Sequence, residues 1–482
     1  MSATNPCWLV FGASGYVGRN MVAHLVRQGV HVRAAARRRS SMEAEGWVSV
    51  DQVRADALDP VTLAPALEGI EVAFYLVHSM AGGRGFPKRD REAAGNFAQA
   101  AAAAGVKRIV YLGGLAPAQA DTEHLASRVE TGEILRSGSV PVVELRAGII
   151  IGAGSAAFEV MRDLVAHLPI MVTPRWVSVS SPPVALDDLL NDLMELAQRP
   201  EAEGKVFETG GPERLTYAAM MSKLAQALGR RKPLIVPVPL LTPKLSSYWM
   251  NLVTSVPAPL ARALIGGLRH DLYADDTSLR ELVPRTCLGF DAAVAAALAA
   301  ERKVLSGQYW REGAFDLRGY RHDISFYGKR MTQARGCAAP PQGVWKVLEG
   351  FAVQGKGYFA LTPVWRLRAV VNRWLGSKNP EPRKRTEVFV EGEVFGSWRV
   401  HSVQPGVRLT LTSQLRGPGK AGLEIDVAPS TTGGSLITLV LHWHPAGVWG
   451  LLYWFLFWPV HAIELYAFLN RLARAATQER MS

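Results

Sequence analysis

The twelve residues CWLVFGASGYVG, from Cys7 to Gly18, decide how the chain is read. Five apolar residues come first without polar alternation, which is how a strand reads when both of its faces are covered. Gly12, Gly15 and Gly18 follow at three-residue spacing, and Met21, Val22, Leu25 and Val26 then fall on one face of a helix. A glycine-rich turn between a buried strand and a helix has a specific use. Gly12 permits the tight turn, Gly15 lets backbone approach a pyrophosphate, and Gly18 lets helix and sheet pack closely. The helix N-terminus adds N–H groups and the positive end of a dipole. The spacing is GxxGxxG, with the second glycine one place later than in GxGxxG.

The pattern continues outward. Apolar runs at residues 31–36, 47–53, 72–77, 108–112 and 140–145 have strand length, and helical periodicity lies between them, including an Ala-rich helix over residues 96–105 that ends at Gly105. This alternation predicts an α/β fold with a doubly wound parallel sheet of the Rossmann type. About twenty residues beyond the glycine loop, where an acid would hold the ribose hydroxyls of NAD, the chain reads Ala36-Arg37-Arg38-Arg39. Cations there either meet the 2′-phosphate of NADP or form a solvated charge run.

Residues 1–150 form this nucleotide core, and a less regular, Pro-interrupted region over residues 151–320 reads as a small substrate region packed on the sheet. A second domain is expected over residues 321–482, where β-rich runs at 386–400, 407–415, 422–427 and 435–442 are punctuated by turn sequences such as Gln404-Pro405-Gly406. Charge divides at the same place. The last 162 residues hold 20 Lys+Arg against 10 Asp+Glu, so they carry most of the formal +12. They also hold 8 of the 13 tryptophans, a cationic and aromatic mixture that suits an anionic membrane surface or an amphipathic ligand as well as nucleic acid. No nucleic-acid partner is expected. Cys7, Cys287 and Cys337 stand singly, which gives neither a zinc pattern nor a disulfide framework and points to a reducing compartment.

GASGYVG, the arginines after the second strand, Asp56 in ADALDP, YLVHSM at 75–80, YLGGL at 111–115 and ELRAGIIIGAGS at 144–155 together resemble the atypical short-chain dehydrogenase/reductases of the NmrA-like, extended type. The resembling subgroup joins such a domain to a C-terminal domain of unknown function, likened to START and polyketide-cyclase helix-grip folds. It implies an NAD(P)-binding Rossmann domain followed by an α+β helix-grip domain. By position, Gly12, Ser14, Gly15, Tyr16, Val17 and Gly18 would cradle the pyrophosphate, and Arg37 with Arg38 would hold the 2′-phosphate, so that NADP(H) is preferred over NAD(H). Asp56 and Ala57 would meet the adenine, unless Asp56 caps the helix beginning near Asp59. Leu76, Val77 and His78 would line the path to the nicotinamide.

Active members of the family use a YxxxK pair to deliver a proton and hold the ribose. The corresponding stretch here is His124-Leu-Ala-Ser-Arg128, whose spacing keeps both side chains on one helix face. His124 would be the acid and Arg128 the ribose ligand, although Arg128 cannot relay a proton. The alternative is a surface histidine. Gly113 and Gly114 stand where the family's Ser or Thr follows the fifth strand, which speaks against ordinary carbonyl reduction. His442, His444, His461 and Glu464 are potential metal ligands, but no metal site is expected, since histidines also serve as polar tips in aromatic cores.

The segment 448–463 is uncharged and holds six large aromatic residues. As a helix it is about 24 Å long, too short to cross about 30 Å of hydrocarbon comfortably, and Pro459 should interrupt it. It reads as the closing helix of the grip fold lining an apolar cavity, or as a surface-inserting helix. The expected function is an NADP(H)-dependent oxidoreductase acting on a hydrophobic carbonyl, quinone or enone. The alternatives are a non-catalytic NADP(H) sensor or a lipid-binding membrane-surface protein. The expected partner is an apolar small molecule, and the expected location cytoplasmic or peripheral at the inner face of the membrane.

Overall fold

The computed structural model describes residues 7–39, 49–77, 85–116, 123–173, 175–237, 253–256, 270–304, 324–353, 388–395, 397–414, 417–430 and 433–481, together with residues 42, 45 and 47. The chain divides into two compact units, residues 1–251 with 256–304 and residues 252–255 with 305–482.

The first unit is built on seven strands: β1 (Cys7–Phe11), β2 (His31–Ala36), β3 (Asp51–Arg54), β4 (Ile70–Tyr75), β5 (Arg108–Gly114), β6 (Val142–Ala147) and β7 (Val206–Thr209). Their order is β7-β6-β5-β4-β1-β2-β3 and every pairing is parallel. Both faces are covered, as the unalternating strands predict. On β1, Trp8 and Val10 pack under α1 (Tyr16–Arg27) and α5 (Leu186–Gln198). Cys7, Leu9 and Phe11 pack on the other face with α2 (Leu63–Leu67) and α3 (Phe86–Ala103), which α4 (Glu123–Arg136) adjoins. The strand order reverses at β1, and a ligand crevice forms beyond the C-terminal ends of strands at such a switch point.

Several boundaries differ from the sequence reading. β3 begins at Asp51 rather than at residue 47, because Trp47 and Val50 pack against the core through their side chains without joining the ladder. α3 starts ten residues earlier than expected, at Phe86, and ends where Gly105 takes φ +72°, the left-handed cap that stops a helix.

The second unit is an antiparallel sheet with helices on one face. Its strands are β8 (Lys329–Cys337), β9 (Val394–Phe395), β10 (Trp398–Gln404), β11 (Arg408–Ser413), β12 (Gly419–Pro429) and β13 (Ser435–Pro445), in the order β8-β13-β12-β11-β10-β9. Alternation is clear: Leu423, Ile425 and Val427 of β12 and Ile437, Leu439 and Leu441 of β13 point to the core. There they meet α6 (Pro341–Val353) and α7 (Gly447–Met481). Pro459 does not end α7, contrary to the sequence reading. Trp454 before it and Leu465, Phe468 and Leu472 beyond it are all buried in the same core. Packing on both sides of the proline outweighs one lost backbone bond.

Candidate functional site

The glycine loop is closed by backbone bonds. Gly12 and Ala13 donate to the Ala35 carbonyl at 2.9 and 3.0 Å, and Gly15 donates to the Gly12 carbonyl at 2.9 Å. Gly12 sits at φ +96°, and a Cβ there would stand 3.0 Å from the Leu76 backbone and 3.1 Å from Val77. A Cβ on Gly18 would overlap the Gly12 carbonyl and lie 2.9 Å from Ala13 Cα. α1 therefore starts pressed against the end of β1. Gly15 is its N-cap, with no side-chain cap and no acid in the first turn. The positive end of the helix is left to an external anion, with Ser14 exposed beside it and Tyr16 and Val17 in the opening turn. This cradle, too tight for side chains and uncapped, fits a dinucleotide pyrophosphate. Tyr16 also reaches across the crevice, since a side chain on Gly152 would collide with its hydroxyl.

Arg37 and Arg38 are exposed just past β2. Ala57 is buried and Asp56 half-buried in the loop after β3. Asp56 does not cap the helix near Asp59. Its carboxylate accepts from Leu58 N–H at 3.1 Å, closing its own turn, and the short helix at Pro60 has no side-chain cap. Thr62 and Asn96 pin the loop, accepting from Asp56 N–H and donating to the Ala57 carbonyl, each at 2.9 Å.

Leu76 and Val77 lie at the end of β4, where Leu76 N–H donates to the Phe11 carbonyl at 2.9 Å. His78 lies outside the described residues. His124 and Arg128 are both on α4, one turn apart as expected; the His124 side chain is outside the described set. Arg128 folds over the end of β5, donating to the Leu112 carbonyl at 3.3 Å, with its Cδ 3.6 Å from a would-be Gly114 Cβ. Tyr111 is no substitute acid. Burial pushes its phenol up, against the opposing charge of Arg128, and its hydroxyl is committed to the Arg128 carbonyl at 3.0 Å. α4 is anchored to α3 where the buried Ser127 hydroxyl donates to Asp90 at 3.0 Å.

The structure adds a feature the sequence reading missed. Glu144 on β6 is buried between Arg136 of α4 and Arg146, whose Nε donates to it at 2.7 Å. A Cβ on Gly113 would stand 3.2 Å from the Glu144 carboxylate and 3.3 Å from Arg146 Cγ. The space at Gly113 is therefore filled by an ion pair. One signal was available: Glu144 and Arg146 sit two residues apart, on one face of a strand that should be buried on both.

In the second unit, the four potential metal ligands do not converge. His442 faces Glu424 at 3.2 Å, His461 faces Glu464 at 3.9 Å, and His444 Nδ1 lies 3.1 Å from the Ser325 carbonyl. Among the described residues, the one grouping within ligand range is Cys7, His31 and Asp51, at the N-terminal ends of β1, β2 and β3, opposite the glycine loop. The aromatic segment is split. Trp454 is in the core and Tyr453 packs on Trp443 with ring centroids 4.7 Å apart, whereas Trp449, Phe455 and Trp458 are exposed.

Residues 12–137 match the family model described as NAD(P)H-binding. The first unit is an NAD(P)H-binding Rossmann domain with an oxidoreductase-like fold. Residues 329–467 match the model of a protein of unknown function (DUF2867), so the second unit carries that domain. The chain is 29% identical over 231 residues to the (4-alkanoyl-5-oxo-2,5-dihydrofuran-3-yl)methyl phosphate reductase of Streptomyces griseus, covering 46% of this chain and 74% of that one. It is 33% identical over 125 residues to sterol demethylase protein B of Methylococcus capsulatus, covering 24% of this chain and only 38% of that relative. Among solved structures, the Citrobacter sp. triphenylmethane reductase complexed with NADP(H) aligns with a TM-score of 0.50 and 17% identity, over 60% of this chain and 99% of that one. That likeness is one of fold.

Proposed function

We propose that the chain is an NADP(H)-dependent reductase of an apolar carbonyl, quinone or enone. The observation that carries this reading is the glycine cradle: Gly12 and Gly18 leave no room for side chains, and Gly15 stands exposed at the uncapped start of α1. The Streptomyces relative, itself a (4-alkanoyl-5-oxo-2,5-dihydrofuran-3-yl)methyl phosphate reductase, supports the reaction class. With the cofactor bound, exposed Arg37 and Arg38 would hold the 2′-phosphate, Asp56 and Ala57 would meet the adenine, and Leu76 and Val77 would line the path to the nicotinamide. The cofactor supplies the hydride. Arg128, held over the end of β5, would orient the ribose, and His124 would be the acid that donates a proton to the substrate oxygen. The second unit stores or presents the apolar substrate.

One observation favours a second reading, a non-catalytic NADP(H) sensor. Glu144 and Arg146 fill the space at Gly113, where reductases of the resembling family carry a hydroxyl. NADPH oxidation measured with a panel of quinones, enones and apolar aldehydes separates the two. Steady turnover with any member supports the reductase; tight NADPH binding with no consumption across the panel leaves the sensor.

A further inference from the structure

The outer face of α7 is apolar over most of its length. Trp449, Leu452, Leu456, Ile463 and Tyr466 recur at helical spacing with Pro459 among them, and their relative exposures are 73, 55, 73, 66 and 60%. They form one stripe about 26 Å long. A contiguous apolar face of this kind is uncommon on a monomer and marks an interaction site. The opposite face is committed to the sheet through Trp454, Leu465, Phe468, Leu469 and Leu472. By length and composition the helix is able to cross a bilayer, but with one side held in the core of a folded sheet it does not do so. It is placed to lie flat.

The charges around the stripe identify what it lies on. No charged residue occurs between Gly447 and Ile463. The first acid, Glu464, is turned inward and buried beside His461, while the cations that follow, Arg471 and Arg474, are exposed, with Arg474 on the continuation of the stripe. Aromatic and aliphatic side chains flanked by outward cations match a headgroup boundary with negative charge. From this face and its charge pattern we infer that α7 is an in-plane anchor that docks the second unit on an anionic lipid surface. The apolar stripe enters the acyl boundary, and the arginines engage the headgroups.

The test uses the full chain in sedimentation with vesicles of phosphatidylcholine alone and of phosphatidylcholine with phosphatidylglycerol, at low and high salt. The wild type should sediment with the anionic vesicles at low salt and partition at least tenfold less to neutral ones. Leu456→Glu with Ile463→Glu should abolish binding, and Arg471→Ala and Arg474→Ala should each weaken it about fivefold. All four positions are exposed, so the fold should hold, which NADPH binding and the melting transition check independently. Absence of sedimentation with either vesicle overturns the inference. So does a wild-type dimer that Leu456→Glu dissociates, which would assign the face to a second copy of the chain.

Discussion

Gly18 and Gly12 are in direct contact: a Cβ on Gly18 would overlap the Gly12 carbonyl that accepts the Gly15 N–H. The loop and the helix N-terminus are thereby one rigid piece. Gly18→Ala should push α1 away from the loop, cost about 1–3 kcal/mol of stability, and lower NADPH affinity at least tenfold. Denaturant unfolding and fluorescence titration of the same variant check both. Unchanged affinity would detach the loop from cofactor binding.

His124 and Arg128 should separate by kinetic signature. His124→Phe should lower kcat by roughly a hundredfold, the usual scale of general acid catalysis, while leaving NADPH affinity nearly unchanged. Arg128→Ala should weaken NADPH binding as well, because it frees the end of β5 from the guanidinium at Leu112. Full turnover by His124→Phe would move the proton source elsewhere.

Restoring a hydroxyl at the end of β5 should not help. In Gly113→Ser the new side chain would enter space held by Glu144 and Arg146, 3.2 and 3.3 Å from its Cβ. A loss of about 1–3 kcal/mol is expected from overpacking, with no gain in turnover. A stable, faster Gly113→Ser enzyme would show that the ion pair yields.

The β1–loop–α1 unit was legible because three levels agree at Cys7–Gly18: unalternating strand, glycine spacing and helical periodicity. The same holds for β12 and β13, where alternation and turn residues coincide. The Glu144 site was not legible, since Arg136 joins it from another element and only the tertiary fold brings them together. The six large aromatics at residues 448–463 could be counted in the sequence, but not which of them are left outside the core. Pro459 misled for a related reason: local propensity argues for a break, and the core contacts on either side of it override that propensity.

The second unit should lose stability in acid. Burial pushes the Glu424 carboxyl up, but the hydrogen bond and charge of His442, with Arg408 and Arg330, hold it below the usual range. Burial holds the His401 imidazole below its ordinary value, against the pull of Glu391 and Glu424. Both groups bind protons less readily in the folded chain. Their contributions are present above the unfolded values, about 6.5 for His and about 4.3 for Glu, and are lost as pH falls through the folded ones. Calorimetric melting should show Tm falling below about pH 6.5 and again below about pH 4.3. His401→Gln should flatten the first step and Glu424→Gln the second. A Tm constant across this range would contradict the assignment.

Dinucleotide recognition by the glycine loop and Arg37 is tested by calorimetric titration of NADPH and NADH into the full chain, in wild type and in Arg37→Ala. One site per chain is expected, with NADPH bound about ten- to a hundredfold more tightly than NADH through charge-assisted contacts to the 2′-phosphate. Arg37→Ala should remove most of that difference and leave NADH binding unchanged. Equal affinities for the two nucleotides in the wild type would contradict the phosphate assignment, and no binding of either would contradict the reading of the glycine loop itself.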